Sequence, residues 1–401
     1  MVDFLKDRFQ SFSMIIILLF SLMNALFLLL VKRKFSDPSF VFTCVWIFIP
    51  AINIFIEPYS ISIKTQLYIC GCLFLFTLGS FFTIKIKARD SLSLQPSSNK
   101  SINFFIIFLV AFFPLYLNEI NSLISGKDFG ALIIRDAMTS ANHHHELSPI
   151  ISFGINIPIV ISFYYSVVEK TLGRRLILLW LISLLYVVLS FSKGYIIQFV
   201  LPIVTALYFT QKIHAAALLR VSLFLMSIII GLIFFRDVAV VDVDILFKMY
   251  TTAPTAALDQ IVQSNSPLNF PHYRFLESIY DFFGLSILNS RETFWSDIYP
   301  PTNVFTLFGI MYNDFGLFAL FAFFVLGGIA SFFYKLVQKQ SGVISIFIIS
   351  WLYFGLMMSF FSDGLLGMIG TNLKYILTLY LLSALFRLSA VVSSLKLTSP
   401  R

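Results

Sequence analysis

The sequence predicts an all-α polytopic membrane protein of about eleven transmembrane helices with a large structured loop on one side, and three observations predict it. Hydrophobic residues make up 58% of the 401 and charged residues only 12%, about half of the roughly 25% charge that wets a soluble domain. Mean hydropathy is +0.89. The 48 phenylalanines gather in runs such as 74–82, which have no polar face at either the helical or the strand period. A soluble enzyme is excluded, and lipid is the solvent. The three cysteines, Cys44, Cys70 and Cys72, all fall inside apolar stretches, where they read as small packing residues and not as a disulfide framework or a tetrahedral metal site.

A helix needs about 20 mostly apolar residues to cross the hydrocarbon core, and eleven stretches qualify. The first, 14–31, is closed by Lys32, Arg33 and Lys34; it is too long for a cleaved signal peptide and has no small-residue cleavage motif, so it is expected to stay. Stretches 40–56, 66–84 and 102–117 follow on apolar length. Stretch 150–168 stops at Glu169. Stretches 176–191 and 195–210 form a tight hairpin interrupted only by Ser192, Lys193 and Gly194. Stretch 221–235 precedes the longest polar interval, 315–334 is opened by Asp314, and 343–361 and 372–388 complete the set. The chain reads as a single integral membrane domain, 1–401.

Lys and Arg crowd the segments after the first, third, fifth, seventh, ninth and eleventh stretches, which assigns that side to the cytoplasm. The net charge of +8 is therefore a topological signal, not a sign of nucleic-acid binding. The opposite side, expected to be the periplasm, receives two long loops, 118–149 and 236–304. The second contains Tyr250, Tyr273, Phe275, Tyr280, Trp295 and Tyr299 among other aromatics, which argues against disorder. Within it, 244–250 and 256–263 read as short helices and 275–283 as an amphipathic helix on the membrane surface.

Basic residues on the outer face run against the positive-inside rule, so something else must favour them. Arg135, Lys193, Arg236, Arg274 and Arg291 are candidate anion ligands, Arg through its planar fork and Lys as a point charge. Local pairing also accounts for Arg135, Arg236 and Arg291, each followed directly by an acid. Lys193, in Ser190-Phe191-Ser192-Lys193-Gly194, either snorkels to the interface or faces a cavity; facing inward, it is joined by the hydroxyls of Ser190 and Ser192. The run His143-His144-His145 reads as a solvated loop, since adjacent positions point apart. His272, two residues before Arg274, is the imidazole better placed to take a proton near neutral pH. Asp314, after Tyr312-Asn313, stands where the ninth stretch begins and reads as a helix cap, with room for a second role.

Two short stretches carry a resemblance. Pro300-Pro301-Thr302-Asn303-Val304-Phe305-Thr306-Leu307-Phe308-Gly309, followed by Tyr312-Asn313-Asp314-Phe315-Gly316-Leu317, resembles a stretch of the Wzy-type oligosaccharide repeat-unit polymerases that build O-antigen and related surface polysaccharides. Leu189-Ser190-Phe191-Ser192-Lys193-Gly194 is similar to their Ser-Arg-Gly, with Lys in place of Arg. The general plan also agrees: about a dozen helices, a large late outer loop and Arg135 in an earlier one.

The resemblance implies a metal-independent glycosyltransferase of the bacterial inner membrane, with its active site facing the periplasm. It moves a growing glycan from undecaprenyl pyrophosphate onto the non-reducing-end sugar of another lipid-linked repeat unit. Charge grows on the pyrophosphate as the glycosidic bond breaks, so cations placed there favour the transition state; Arg135, Arg274, Lys193 and Arg291 are the expected clamp. The acceptor hydroxyl needs a base, and His272 and Asp314 are the rivals. No cofactor or metal ion is expected. The expected partners are the undecaprenyl-pyrophosphate-linked oligosaccharides, membrane lipid and a polysaccharide chain-length regulator. A lipid-linked oligosaccharide flippase and an O-antigen ligase are the alternatives.

Overall fold

The computed structural model describes residues 14–56, 61–82, 99–124, 148–190, 192–214, 245, 248, 251–264, 306–339, 342–360 and 369–398, and among these the regular structure is entirely helical. Five helical runs are long and apolar enough to cross a membrane, as a helical membrane protein requires: Ile63–Phe81, Ser101–Leu123, Pro149–Val168, Leu307–Lys339 and Ile369–Phe386. Ten of the eleven predicted stretches coincide with helices. The remaining one, the eighth stretch at 221–235, lies outside the described residues, as do 275–283 and nearly all of 244–250. The chain divides into two compact units, one of Met1–Lys87, Val240–Leu336 and Trp351–Thr371, the other of Ala88–Ala239, Val337–Ser350 and Asn372–Arg401.

The first unit begins with three helices, α1 (Ile15–Leu30), α2 (Pro38–Ile56) and α3 (Ile63–Phe81). Without water, helices are joined by close packing and by hydrogen bonds between buried polar side chains. Here Asn24 of α1 donates to Thr43 of α2 and Thr77 of α3, both at 2.9 Å. α1 ends in a Schellman motif: Lys32 takes the left-handed conformation (φ 58°), its N–H bonds Leu29 O, and the Arg33 N–H bonds Leu28 O, so carbonyls orphaned at the helix end are satisfied. The motif also aims Arg33 sideways. Its guanidinium pairs with Asp37 at 2.9 Å, donates to Ser80 O in the last turn of α3 at 3.2 Å, and lies over the Phe81 ring. Asp37 in turn accepts the Ser39 N–H and caps α2 with Pro38 at its first position. The ends of α1 and α3 therefore meet at one basic end of the unit.

Four more described helices, α8 (Ala253–Ser264), α9 (Leu307–Phe315), α10 (Ala319–Lys339) and α11 (Val343–Met357), contribute to this unit wholly or in part, together with the first turn of the last helix. α9 was not anticipated; the sequence reading has the ninth membrane stretch beginning at 315. Phe308 and Phe323 are fifteen residues apart, about 22 Å on one continuous helix, yet their rings are 4.9 Å apart. The chain doubles back at Gly316, whose φ of 56° and ψ of −135° form a backbone open essentially to glycine alone. α9 and α10 are thus the two arms of a hairpin.

Its depth follows from its contacts. Phe308 packs on Trp46, the ninth of nineteen residues of α2, and the Leu307 N–H donates to Ser359 O at 2.8 Å, just past the end of α11. Trp46 Nε1 holds the Ser359 hydroxyl at 3.1 Å. Two helix ends meet halfway along α2, which is tolerated at membrane depth only where protein buries the backbone, as here. α10 descends beside α3 in the same direction: an added Cβ on Gly79 would stand 1.9 Å from Phe324 O, and one on Gly327 2.0 Å from Phe76 O. Main chain touches main chain, as small residues permit in membrane interfaces.

The second unit holds α4 (Asn99–Ile124), α5 (Pro149–Val168), α6 (Arg174–Val188), α7 (Lys193–Phe209) and most of α12 (Ile369–Thr398). α4 runs seven residues into the predicted 118–149 loop, and α12 ten residues past its predicted end. Gly154 makes room for the Tyr116 ring, which a Cβ would approach to 2.4 Å. Hydroxyls join the helices: Tyr116 donates to Tyr186 O at 2.9 Å, Ser162 to Ser183 at 2.8 Å, and the Trp180 indole to Ser166 at 3.0 Å. α7 repeats the ending of α1. Gln211 is left-handed (φ 59°), Gln211 and Lys212 bond Tyr208 O and Leu207 O, and the Lys212 ammonium reaches Ser166 O at 2.5 Å and Val167 O at 3.3 Å in the last turn of α5. The ends of α5 and α7 therefore coincide. Cys70 and Cys72 are buried packing residues as expected, whereas Cys44 is exposed on α2.

Candidate functional site

The described part of the resembling stretch, 306–317, forms α9 and the turn after it, whose tip lies at the end of the first unit opposite the basic one. Thr306 is the N-cap of α9: its hydroxyl accepts the Gly309 N–H at 3.0 Å, and losing such a cap costs about 1 kcal/mol. Phe308 fills an aromatic cluster with Phe42, Trp46 and Phe323. Gly309 lies against Leu258 and Ile261 of α8. Tyr312 meets the Tyr68 ring edge-on at 4.9 Å, and Tyr68 donates to Phe308 O at 3.2 Å. These residues fix the hairpin.

Asn313 and Asp314 are what the hairpin presents. The Asn313 amide donates to the Asp314 carboxylate at 3.1 Å, while the Asn313 amide oxygen is buried without a hydrogen-bond partner among the described residues. The expectation that Asp314 caps the ninth membrane helix is corrected: the caps of α9 and of the following 3₁₀ turn are Thr306 and Phe315, and Asp314 sits in the last turn of α9. There a carboxylate faces the negative end of the helix dipole, an unfavourable place by a few tenths of a kcal/mol or more. Leu317 and Phe318 at the hairpin tip are both well exposed.

α8, anticipated over 256–263, is almost wholly buried, and one acid on it deserved more weight than the sequence suggested. The Asp259 carboxylate accepts the Ser62 N–H at 3.0 Å, the Ser62 hydroxyl at 2.5 Å and the Gln263 amide. Ser62 is the N-cap of α3, so Asp259 supplies negative charge where a helix start favours it. Lys64 donates to Val262 O at 2.8 Å and pins the same two helices together. Its signal in the sequence is slight, a single acid in Ala-rich helix.

Lys193 opens α7 in the second unit, with Ser192 as N-cap. The expectation that both neighbouring serines offer hydroxyls beside it holds for one at most. Ser190 donates to Val187 O at 2.6 Å and accepts the Ser192 N–H at 3.2 Å, so it builds the turn. The Ser192 hydroxyl makes no capping bond. Arg135, His272, Arg274 and Arg291 lie outside the described residues, as does the His143-His144-His145 run. Asp314 belongs to the first unit and Lys193 to the second. Compared with protein-family models, with curated proteins and with solved structures, the chain matches none.

Proposed function

We propose that this chain is a surface-polysaccharide polymerase of the O-antigen type, moving a growing glycan from undecaprenyl pyrophosphate onto the terminal sugar of another lipid-linked repeat unit at the periplasmic face. The observation that carries the reading is the hairpin of α9 and α10. It takes the stretch that resembles the polymerases, uses its Thr, Phe and Gly residues for anchorage, and holds Asn313 and Asp314 at the end opposite the basic one. Asp314 stands in the last turn of α9 beside the hairpin tip, and it is the base or an acceptor-binding group in this reading. His272 remains its rival, and Arg135, Arg274, Lys193 and Arg291 remain the proposed pyrophosphate clamp.

One feature favours the flippase instead. Interrupted helices that meet at mid-depth are a recurring device of transporters, and Leu307 and Ser359 form such a meeting. Deleting the gene and resolving lipopolysaccharide on gels separates the two: lipid A core with a single repeat and no ladder is the polymerase result, and core without any repeat is the flippase or ligase result. Asp314→Asn, purified and supplied with lipid-linked repeat units, should fold at normal abundance and lose a hundredfold or more in turnover, the usual scale for a catalytic acid or base. Turnover at the wild-type rate removes Asp314 from the mechanism.

A further inference from the structure

α2 and α3 run antiparallel in the first unit, and their levels can be matched. The Asn24 amide nitrogen donates to Thr43 and to Thr77, both at 2.9 Å, so these two threonines stand opposite one another. Phe42 and Phe76, one residue before each, agree, with ring centroids 4.7 Å apart. Asn53 is ten residues on from Thr43 and Gln66 eleven back from Thr77, climbs of about 15 and 16.5 Å toward the end opposite the basic one. The two amides therefore reach one height. They also face one another's helix: eleven residues close three turns, so Asn53 shares the face of Phe42 and Gln66 that of Thr77.

Neither bonds the other. Asn53 is 0% exposed, and both its amide nitrogen and its amide oxygen are without a hydrogen-bond partner among the described residues. Gln66 is 3% exposed; its nitrogen donates to Ile61 O at 3.0 Å, which fixes the amide and leaves its oxygen buried and, among the described residues, unpartnered. Thr255 stands one turn before Asp259 on the same face of α8. Asp259 holds Ser62 at the start of α3, and the Thr255 hydroxyl, also 0% exposed, has no partner among the described residues either. Two residues beyond Gln66, Tyr68 donates to Phe308 O and meets the Tyr312 ring, so α9, the arm that carries Asp314, packs on the same stretch of α3.

Buried polar groups are almost always hydrogen-bonded, and these four unpartnered atoms at one end of one unit mark a place for something polar. Their chemistry restricts it. The Asn53 nitrogen needs an acceptor, the Asn53 and Gln66 oxygens need donors, and the Thr255 hydroxyl takes either. A bare cation would leave the Asn53 N–H groups unmet and a bare anion the two oxygens, whereas a hydroxyl donates and accepts at once. We propose that Asn53, Gln66 and Thr255 bind hydroxyls of one neutral sugar residue of the lipid-linked glycan, at the end of the first unit that carries Asp314. The identity of the glycan rests on the polymerase reading. The rival occupant is ordered water, which has the same hydrogen-bonding capacity; the position beside α9 favours the glycan.

The test measures binding, not turnover, on full-length protein in lipid nanodiscs, with lipid-linked repeat units extracted from a strain lacking this gene as probe. Asn53→Leu and Thr255→Val nearly keep side-chain volume and break no side-chain hydrogen bond among the described residues, so melting temperature should hold or rise in both. A sugar contact requires each to weaken repeat-unit binding about tenfold, the loss of one good hydrogen bond, and to leave binding of undecaprenyl phosphate alone unchanged. Unchanged repeat-unit affinity in either variant shows water and overturns the subsite. An equal loss for undecaprenyl phosphate places the effect on the lipid chain and overturns it too. The tenfold loss in a protein that makes no polymer upholds the subsite and ends the polymerase reading, while an active polymerase with unchanged affinity keeps that reading and loses the subsite.

Discussion

Arg33 and Lys212 do the same work in different units. Each follows a left-handed residue that closes a helix, and each is thereby turned onto the terminal carbonyls of a neighbouring helix. A cation there also answers the negative end of that helix's dipole. The two differ in titration. Burial pulls the Lys212 ammonium down from its ordinary 10.5 to about 8, against the opposing pull of nearby Glu169. The folded chain therefore binds fewer protons than the unfolded chain between about pH 8 and 10.5, so this residue's contribution to stability rises as pH climbs through that window. Below pH 8 both states are charged and the cost of burying the ammonium is borne in full. Melting temperature measured at pH 7 and pH 9.5 should increase more in the wild type than in Lys212→Arg, whose guanidinium stays charged throughout. Equal increments in both proteins would show that the ammonium does not titrate in this range.

Among the elements, α3 and α10 are the most demanding pair, because their backbones touch. The demand is confined to particular glycines. Gly79→Ala and Gly327→Ala each drive a methyl to about 2 Å from a main-chain oxygen, which no side-chain rearrangement relieves, so both should lower folded protein sharply in membranes. Gly328→Ala is the control: its Cβ would have 3.6 Å to the nearest atom, and alanine is the better helix former by about 1 kcal/mol. Similar yields from all three variants would contradict the crossing. Long elements were legible in the sequence, because an uninterrupted apolar run of membrane length admits few other structures. α9 was not legible. Its nine residues are too few for a periodic signal, and Thr306 three residues before Gly309, with Gly316 at the far end, marks a helix only once the cap and the turn are seen. The error over Asp314 followed from that omission. Asn156 and Tyr375 were equally silent, each a lone polar residue in an apolar run until two parallel helices bring them into contact.

At the scale of the molecule, the pattern of Lys and Arg predicts which end faces the cytoplasm, and the helix ends agree internally. Lys32, Arg33 and Lys34 share an end with the close of α3, and Lys212 shares one with the close of α5. In a background without native cysteines, Ser264→Cys should react with a membrane-impermeant thiol reagent in spheroplasts, and Phe35→Cys should react only after lysis. Both positions are exposed. Reaction at 35 and not at 264 would invert the proposed topology. The bond from the Leu307 N–H to Ser359 O bears on a different matter, the order in which the protein is made. The donor is synthesised 52 residues before its acceptor, an interval of roughly 3–10 s at about 5–20 residues per second. During it the first amide of α9 cannot have its final partner, and a helix of nine residues has neither the length to span a bilayer nor much stability of its own. α9 therefore settles late, after α11 has entered the membrane, and a nascent chain halted before residue 359 carries a hairpin whose inner end is still unfastened.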